Sequence, residues 1–397
     1  MRVSLFISLI VLVVNVLADI YIIYRLPQSF RSGLRRIAVW AVNATVYVLF
    51  VTLIIFVYMK RFELLADYLE IIMLAFFMIC LPKIVFLIFS SLDFIPLLFR
   101  AVRFRIFTPF AAVVAIVLPF MLFYGVLSVR KNIVYNNVDI VSTRLPCGFD
   151  GYKIVQISDL HLKTMYGDTA LLARLVYSVN LLNPDLICFT GDMVTLRTDE
   201  MYPYVQQLSR LYAVDGVYSV LGNHDYGDYV KWSSRECKER NMQEFIRLNT
   251  KMGWRILRNE NANIVSERDT ISLIGVENWG RHPSSRYGNL DVSYGYLFDS
   301  RYKILLSHNP EYWDTVLCRS NIDLTLSGHT HAMQIKMRIG DHYYSPAAFV
   351  SDRWGGKYTS GNRTLYVNEG IGCTLFPLRL GAYPEVTVIT LHKKNEK

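Results

Sequence analysis

Four long apolar stretches, at roughly residues 3–24, 37–59, 69–92 and 106–127, fill the first third of the chain and constrain its fold more tightly than any other feature. Each matches the ~20 residues that cross the hydrocarbon core of a bilayer at a rise of ~1.5 Å per residue. Lipid offers backbone groups no partners, so each stretch must be a helix that pairs its own N–H and C=O groups. The first stretch has no small-residue cleavage site and is followed by three more, and is read as a retained helix rather than a signal peptide.

The connecting loops suggest an orientation. Arg25, Arg31, Arg35 and Arg36 lie between the first two stretches and Arg100, Arg103 and Arg105 between the last two, seven basic residues on one side. Arg2, Lys60, Arg61, Arg130 and Lys131 make five on the other. Basic loops stay in the cytoplasm, so this count places the soluble part outside it. The formal charge of +9 divides unevenly, with net +7 in residues 1–130 and only +2 in residues 131–397. The basicity therefore belongs to the membrane loops, and no nucleic-acid groove is expected.

Asn15, Asp19, Lys83 and Asp93 fall within or at the ends of the apolar stretches. Ionisable groups there signal either pairing or a transport role. Asp19 and Asp93 lie near helix ends, which favours pairing and snorkelling. The six cysteines include no CxxC pair, which leaves a zinc-ribbon or thioredoxin-type motif without support.

At residue 131 the pattern changes, and a soluble domain over 131–397 is expected behind a transmembrane region over 1–130. Residues 132–143 alternate apolar and polar like a strand, and Leu145-Pro146-Cys147-Gly148 turns the chain. Five times after that, a short apolar run stops at residues able to ligate metal. The tips are Ser158-Asp159-Leu160-His161, Gly191-Asp192, Gly222-Asn223-His224-Asp225, Ser307-His308 and Gly328-His329-Thr330-His331. Helical patterns at 170–182 and 200–211 separate the first three units, and a polar one follows at 233–251. Strand and helix in alternation predict an α/β fold with a largely parallel sheet, whose carboxyl ends hold ligands.

The chemistry follows from the residue types. His161, His224, His308, His329 and His331 share these tips with Asp159, Asp192 and Asn223. Mixed imidazole and oxygen donors suit Mn, Fe or Zn better than the all-oxygen shells of Ca or Mg. One ion needs three or four of them; two ions sharing a carboxylate could use the whole set. His282, His342 and His392 end no such strand and are read as structural.

These tips resemble the signature of the calcineurin-like metallophosphoesterase family, DxH, GD, GNHD, H and GHxH in that order, over about residues 150–395. The resemblance implies an αββα sandwich. It also implies one ion on Asp159, His161, Asp192 and His331, and a second on Asp192, Asn223, His308 and His329, with Asp192 as the bridge. His224 is then similar to the family histidine that meets the phosphate and acts on the leaving oxygen, with Asp225 orienting its ring. Membrane-linked members resemble GHTHGGQ at the last tip, whereas this chain has Ala332-Met333 in place of the two glycines. The tail through Asn368-Glu369-Gly370 and Arg379 also resembles that branch, in which a Gly-rich turn and an arginine approach the site.

The sequence thus reads as a membrane-embedded phosphoesterase, acting by metal-activated water on a phosphoester whose class the residues leave open. Met333, Trp354 and Phe376 are candidates to meet the apolar part of a lipid-linked substrate. Two other classes stand beside this reading: a transporter or sensor with a regulatory metal domain, and a catalytically silent metal-binding interaction domain.

Overall fold

A computed structural model of the chain describes residues 5–25, 33–59, 68–99, 102, 106–165, 167–280, 282–295, 297, 300–374 and 376–394. Of the residues in the orientation count, Arg2, Arg31, Lys60, Arg61, Arg100, Arg103 and Arg105 lie outside this set. The chain divides into two compact units, residues 1–127 with 375–378, and residues 128–374 with 379–397.

The first unit is built from α1 (Leu5–Arg25), α2 (Gly33–Tyr58), α3 (Leu69–Ser91) and α4 (Phe107–Leu127). All four are long and apolar enough to cross a membrane. Their interior holds a polar knot. Asp19 of α1 accepts hydrogen bonds from Asn43 (3.0 Å) and Tyr47 of α2 and from the Lys83 ammonium of α3 (2.9 Å). Lys83 also donates to the Tyr47 oxygen (2.8 Å) and to Asn43 Oδ1 (3.3 Å). Asp93, in the 3₁₀ turn after α3, accepts from the Phe107 and Thr108 N–H groups and caps α4, a favourable place for a carboxylate beside a helix dipole. Asp19, Lys83 and Asp93 are therefore paired, as near-terminal carboxylates predict, whereas Asn15 donates only to the Val11 carbonyl and leaves its Oδ1 without a partner.

The second unit is an αββα sandwich. Its first sheet has the order β1 (Val134–Ser142), β14 (Glu385–Lys393), β2 (Lys153–Ile157), β3 (Leu186–Phe189), β4 (Val217–Ser219) and β5 (Trp254–Ile256). The second runs β12 (Gly356–Ser360), β13 (Arg363–Val367), β9 (Leu324–Ser327), β8 (Lys303–Leu306), β7 (Asp269–Gly275) and β6 (Glu260–Ser266). Within each, the central strands β2–β3–β4 and β7–β8–β9 run parallel. β3, β8 and β9 are buried at every residue, as unbroken apolar runs require when both faces of a sheet are covered.

Ile154, Leu186 and Val220 of the first sheet pack against Leu273, Ile304, Leu306 and Leu326 of the second, making the middle of the sandwich. On the outer face of the first sheet lies α5 (Thr169–Leu181), whose Leu171, Leu172, Leu175, Val176 and Val179 recur at helical spacing and are buried. Each such side chain contributes about 1.5–3 kcal/mol by leaving water. The Asp168 carboxylate caps this helix by accepting from the Leu171 N–H (2.9 Å). α7 (Arg235–Lys251) starts at the Ser234 cap and buries Phe245 and Leu248 beside it. The helix expected over 200–211 is shorter: only Val205–Leu208 forms α6, after a 3₁₀ turn at Thr198–Met201. The Glu200 carboxylate in that turn accepts from the N–H groups of Thr195, Leu196 and Arg197 and ties the preceding loop to it.

Candidate metal centre

Each expected ligand stands just beyond the carboxyl end of a strand. Asp159 and His161 follow β2, Asp192 follows β3 and Asn223 follows β4, while His308 follows β8 and His329 and His331 follow β9. The two sheets thus bring their polar tips to a common edge. The turns that achieve this are strained: Asp159, His161, Asp192, His329 and His331 all have positive φ, between 42° and 76°. Left-handed non-glycine residues cost ~1–2 kcal/mol each and cluster at functional sites. Glycine makes the close approach feasible at two points. A Cβ on Gly222 would lie 2.1 Å from Asp192 Oδ1, and one on Gly328 would lie 2.2 Å from Asp159 Oδ2.

The donor atoms converge in three overlapping groups, Asp159–His161–His331, His161–Asp192–His224 and Asp192–His308–His329, each within 4.8 Å. His161 Nε2 faces His331 Nε2 at 3.2 Å, and His329 Nδ1 faces His308 Nε2 at 3.2 Å. Asp159 Oδ1 is 3.2 Å from His331 Nε2, and Asp192 Oδ2 is 3.2 Å from His308 Nε2. Asn223 Oδ1 lies 3.1 Å from His308 Nε2 and so joins the group around Asp192. Nitrogen facing nitrogen satisfies neither lone pair unless a proton or a cation stands between them. His161 Nδ1 is buried with no hydrogen-bond partner. A mixed set of this kind fits divalent transition ions.

The backbone fixes how several of these rings face. His308 Nδ1 donates to the Thr190 carbonyl (2.8 Å), which turns Nε2 toward Asp192. His224 Nδ1 donates to the Thr195 carbonyl (2.7 Å), leaving Nε2 as its free nitrogen. The fully buried Arg379 guanidinium donates to His331 Nδ1 (3.1 Å) and to the Gly372 and Glu369 carbonyls.

Asp225 departs from expectation. Its carboxylate does not meet the His224 ring; it accepts from the N–H groups of Gly222, Asp192, Met193 and Val194 at 2.8–3.2 Å. Four donors fill its lone pairs, so Asp225 clamps the loop bearing Asp192 onto the turn bearing Asn223, and Thr195 takes over the ring. No side-chain signal marks Thr195 for this task, because any residue type offers a carbonyl. Tyr229 was equally invisible: its hydroxyl accepts from Asn223 Nδ2 (2.9 Å), and its ring lies 4.5 Å from that of His224.

Burial and charge oppose each other here. Burial favours the neutral form of His308, yet the Asp192 carboxylate beside it raises the ring to about 9. Burial, helped by the nearby His308 charge, lowers His329 to about 4, and burial also holds His161 and His224 down. Asp159 and Asp192 are buried carboxyls that burial alone would raise, but the His331 and His308 rings beside them respectively bring them below the usual carboxylate range. The site thus carries carboxylate charge that one protonated imidazole partly offsets.

Known proteins resemble this arrangement. The family model described as calcineurin-like phosphoesterase matches residues 152–333. The uncharacterized metallophosphoesterase YkuE of Bacillus subtilis is 33% identical over 268 residues, covering 64% of this chain and 84% of its own length. A transmembrane protein with metallophosphoesterase domain from Bos taurus is 28% identical over 281 residues, 67% of this chain and 59% of that one. Among solved structures, a dimetal phosphatase from Danio rerio aligns over 56% of this chain and 88% of its own at 14% identity, with a TM-score of 0.34, too low to carry an argument.

Proposed function

This chain belongs to the calcineurin-like phosphoesterase family, and from that premise we propose that it is a membrane phosphoesterase that hydrolyses a phosphate ester with two divalent ions, Mn, Fe or Zn. The observation that carries the reading is Asp192, whose carboxylate belongs to two donor groups at once, one with His161 and His224 and one with His308 and His329. Asp159, His161, Asp192 and His331 would hold one ion, and Asp192, Asn223, His308 and His329 the other. When bound, such ions supply Lewis acidity toward the phosphoryl oxygens and the attacking water.

The protein's own groups do the rest. His224, held by Thr195, directs Nε2 at the substrate. Burial keeps its ring neutral, and an arriving phosphoryl anion raises its proton affinity, so that a proton on Nε2 can pass to the leaving oxygen. Asp225 keeps the two ligand loops in register. The Arg379 guanidinium closes the space behind the His331 ring and donates to the Gly372 and Glu369 carbonyls. The four apolar helices support an amphiphilic, lipid-linked ester as substrate, and the count of basic residues supports a domain outside the cytoplasm.

Purified full-length protein, loaded with each metal in turn, tests this on chromogenic mono- and diesters beside phospholipids and nucleotide-linked lipids. Hydrolysis that chelation abolishes and metal restores is expected; inactivity on every ester with every metal would overturn the reading. Protease added to intact cells should cut the domain, and protection until lysis would reverse the orientation.

A further inference from the structure

Beyond the last ligand, residues 333–349 expose Met333, Met337, Ile339, Tyr343, Tyr344 and Phe349. β10 (Met337–Ile339) and β11 (His342–Tyr344) pair with each other alone, in the register Met337↔Tyr344, Arg338↔Tyr343 and Ile339↔His342. Every residue of both strands is exposed. Opposed residues of an antiparallel pair share a face, so Met337, Ile339 and Tyr344 lie together on one side, 57%, 55% and 52% exposed. Arg338 and Tyr343 lie on the other, with the Lys336 ammonium 5.0 Å from the Tyr343 ring. Phe349, 94% exposed, follows close behind.

A lone two-stranded hairpin is marginal in water, and its apolar face needs a covering. The hairpin is also fastened to the site: the Ser345 hydroxyl donates to the carbonyl of Ala332 (2.6 Å), one residue past His331, and Lys336 N–H donates to the Leu380 carbonyl (2.8 Å).

We infer that the Met337–Tyr344 hairpin enters the interface of a lipid bilayer and sets the metal centre against the membrane surface. The composition fits that solvent. Aliphatic and tyrosine side chains beside Arg338 match the zone where apolar bodies meet headgroups, with Lys336 paired to Glu369 and Arg338 3.6 Å from Asp341 so that neither cation enters lipid unpaired. Connectivity keeps a bilayer within reach, since the last apolar helix ends at Leu127 and the second unit begins at Ser128. The inference gives the amphiphilic ester of the proposed function its route to the site and rests on that reading for its purpose.

A photoreactive benzophenone amino acid at Ile339 of the full-length protein in lipid nanodiscs tests the contact, with the same probe at exposed Val265 as control. Lipid adducts at 339 and not at 265 are expected. Adducts only to a second copy or another protein, or none at all, would overturn the inference. Activity is a separate readout: Ile339→Glu should lose about tenfold in kcat/KM on an ester presented in a bilayer, one buried side chain's worth, while its turnover of a water-soluble chromogenic ester stays at the wild-type rate. Equal loss on both esters would overturn the membrane role. Should no ester be hydrolysed even by wild type, the proposed function fails, and the crosslinks still decide the hairpin.

Discussion

Both units bury a knot of polar side chains, and the two knots are built on opposite principles. Among the helices, Asp19, Asn43, Tyr47 and Lys83 answer one another, with the Lys83 ammonium supplying protons to three oxygens. At the sheet edge, like faces like, nitrogen against nitrogen at 3.2 Å, on backbone held at positive φ. The first knot contains its own cation and is complete. The second has carboxylates and imidazoles arranged around the place where a cation would go, and the strain in its turns is stability given up for that geometry. Burial of charge alone does not mark a reactive site; burial with incomplete internal pairing does.

Substitutions can break or sharpen this contrast. Asp192→Asn should have the largest effect, removing most metal and about 10³–10⁴ of the activity, since one residue serves two donor groups; elemental analysis that finds full occupancy would end its shared role. His224→Ala should lower kcat about 10²–10⁴-fold with metal content near wild type. In the other knot, Lys83→Met should cost about 3–5 kcal/mol of stability by stranding Asp19, and Asp19→Asn combined with it should recover most of that. Thermal unfolding in detergent reads both, and a single variant as stable as wild type would show that the knot is not the self-contained pair described.

The pH dependence separates the knots further. His308 titrates at about 9 in the metal-free protein, above its ordinary 6.5. Its contribution to the metal-free fold is therefore fully present below pH 6.5 and lost as pH rises through about 9. An ion must expel that proton, so apparent Mn affinity should rise by up to about tenfold per pH unit from neutrality to pH 9 and then level. Calorimetric titration across that range would show it, and a flat profile would remove His308 as a ligand. The smallest effect is expected at Ala332, whose φ of 50° lies in the region that favours glycine. Ala332→Gly should change stability by no more than about 1 kcal/mol, in the stabilising direction, as strain relief outweighs added chain entropy.

What the sequence disclosed and what it hid have separate physical causes. Apolar runs that stop at a small residue and a ligand reveal strand ends, because burial on both faces and a sharp turn each leave a compositional mark; β3 spans Leu186–Phe189 as its apolar run indicates. The seven ligand-type side chains could be named for the same reason. Backbone partners leave no such mark, so Thr190 and Thr195 were unreadable, and Asp225 was misread because a carboxylate beside a histidine suggests a pair when its true partners are N–H groups. The shortness of α6 was hidden because apolar spacing does not say how many turns a helix keeps. β10 and β11 were invisible too, since a hairpin exposed on both faces shows no alternation against a core.

The placement of β14 between β1 and β2 has a consequence for how the protein is made. β1 ends at Ser142 and its partner begins at Glu385, so the strand that leaves the membrane helices waits for some 240 further residues before its neighbour exists. At about 5–20 residues per second, the ribosome needs on the order of 12–50 s to supply them. Through that interval the helices can enter the bilayer while the first sheet lacks its closing strand, and the apolar residues Val386, Val388, Ile389 and Leu391 that β14 will bury have yet to appear. A nascent chain of this protein therefore grows tethered and incomplete through residues 143–384, and the synthesis of β14, not insertion, is the moment at which its second unit can first close.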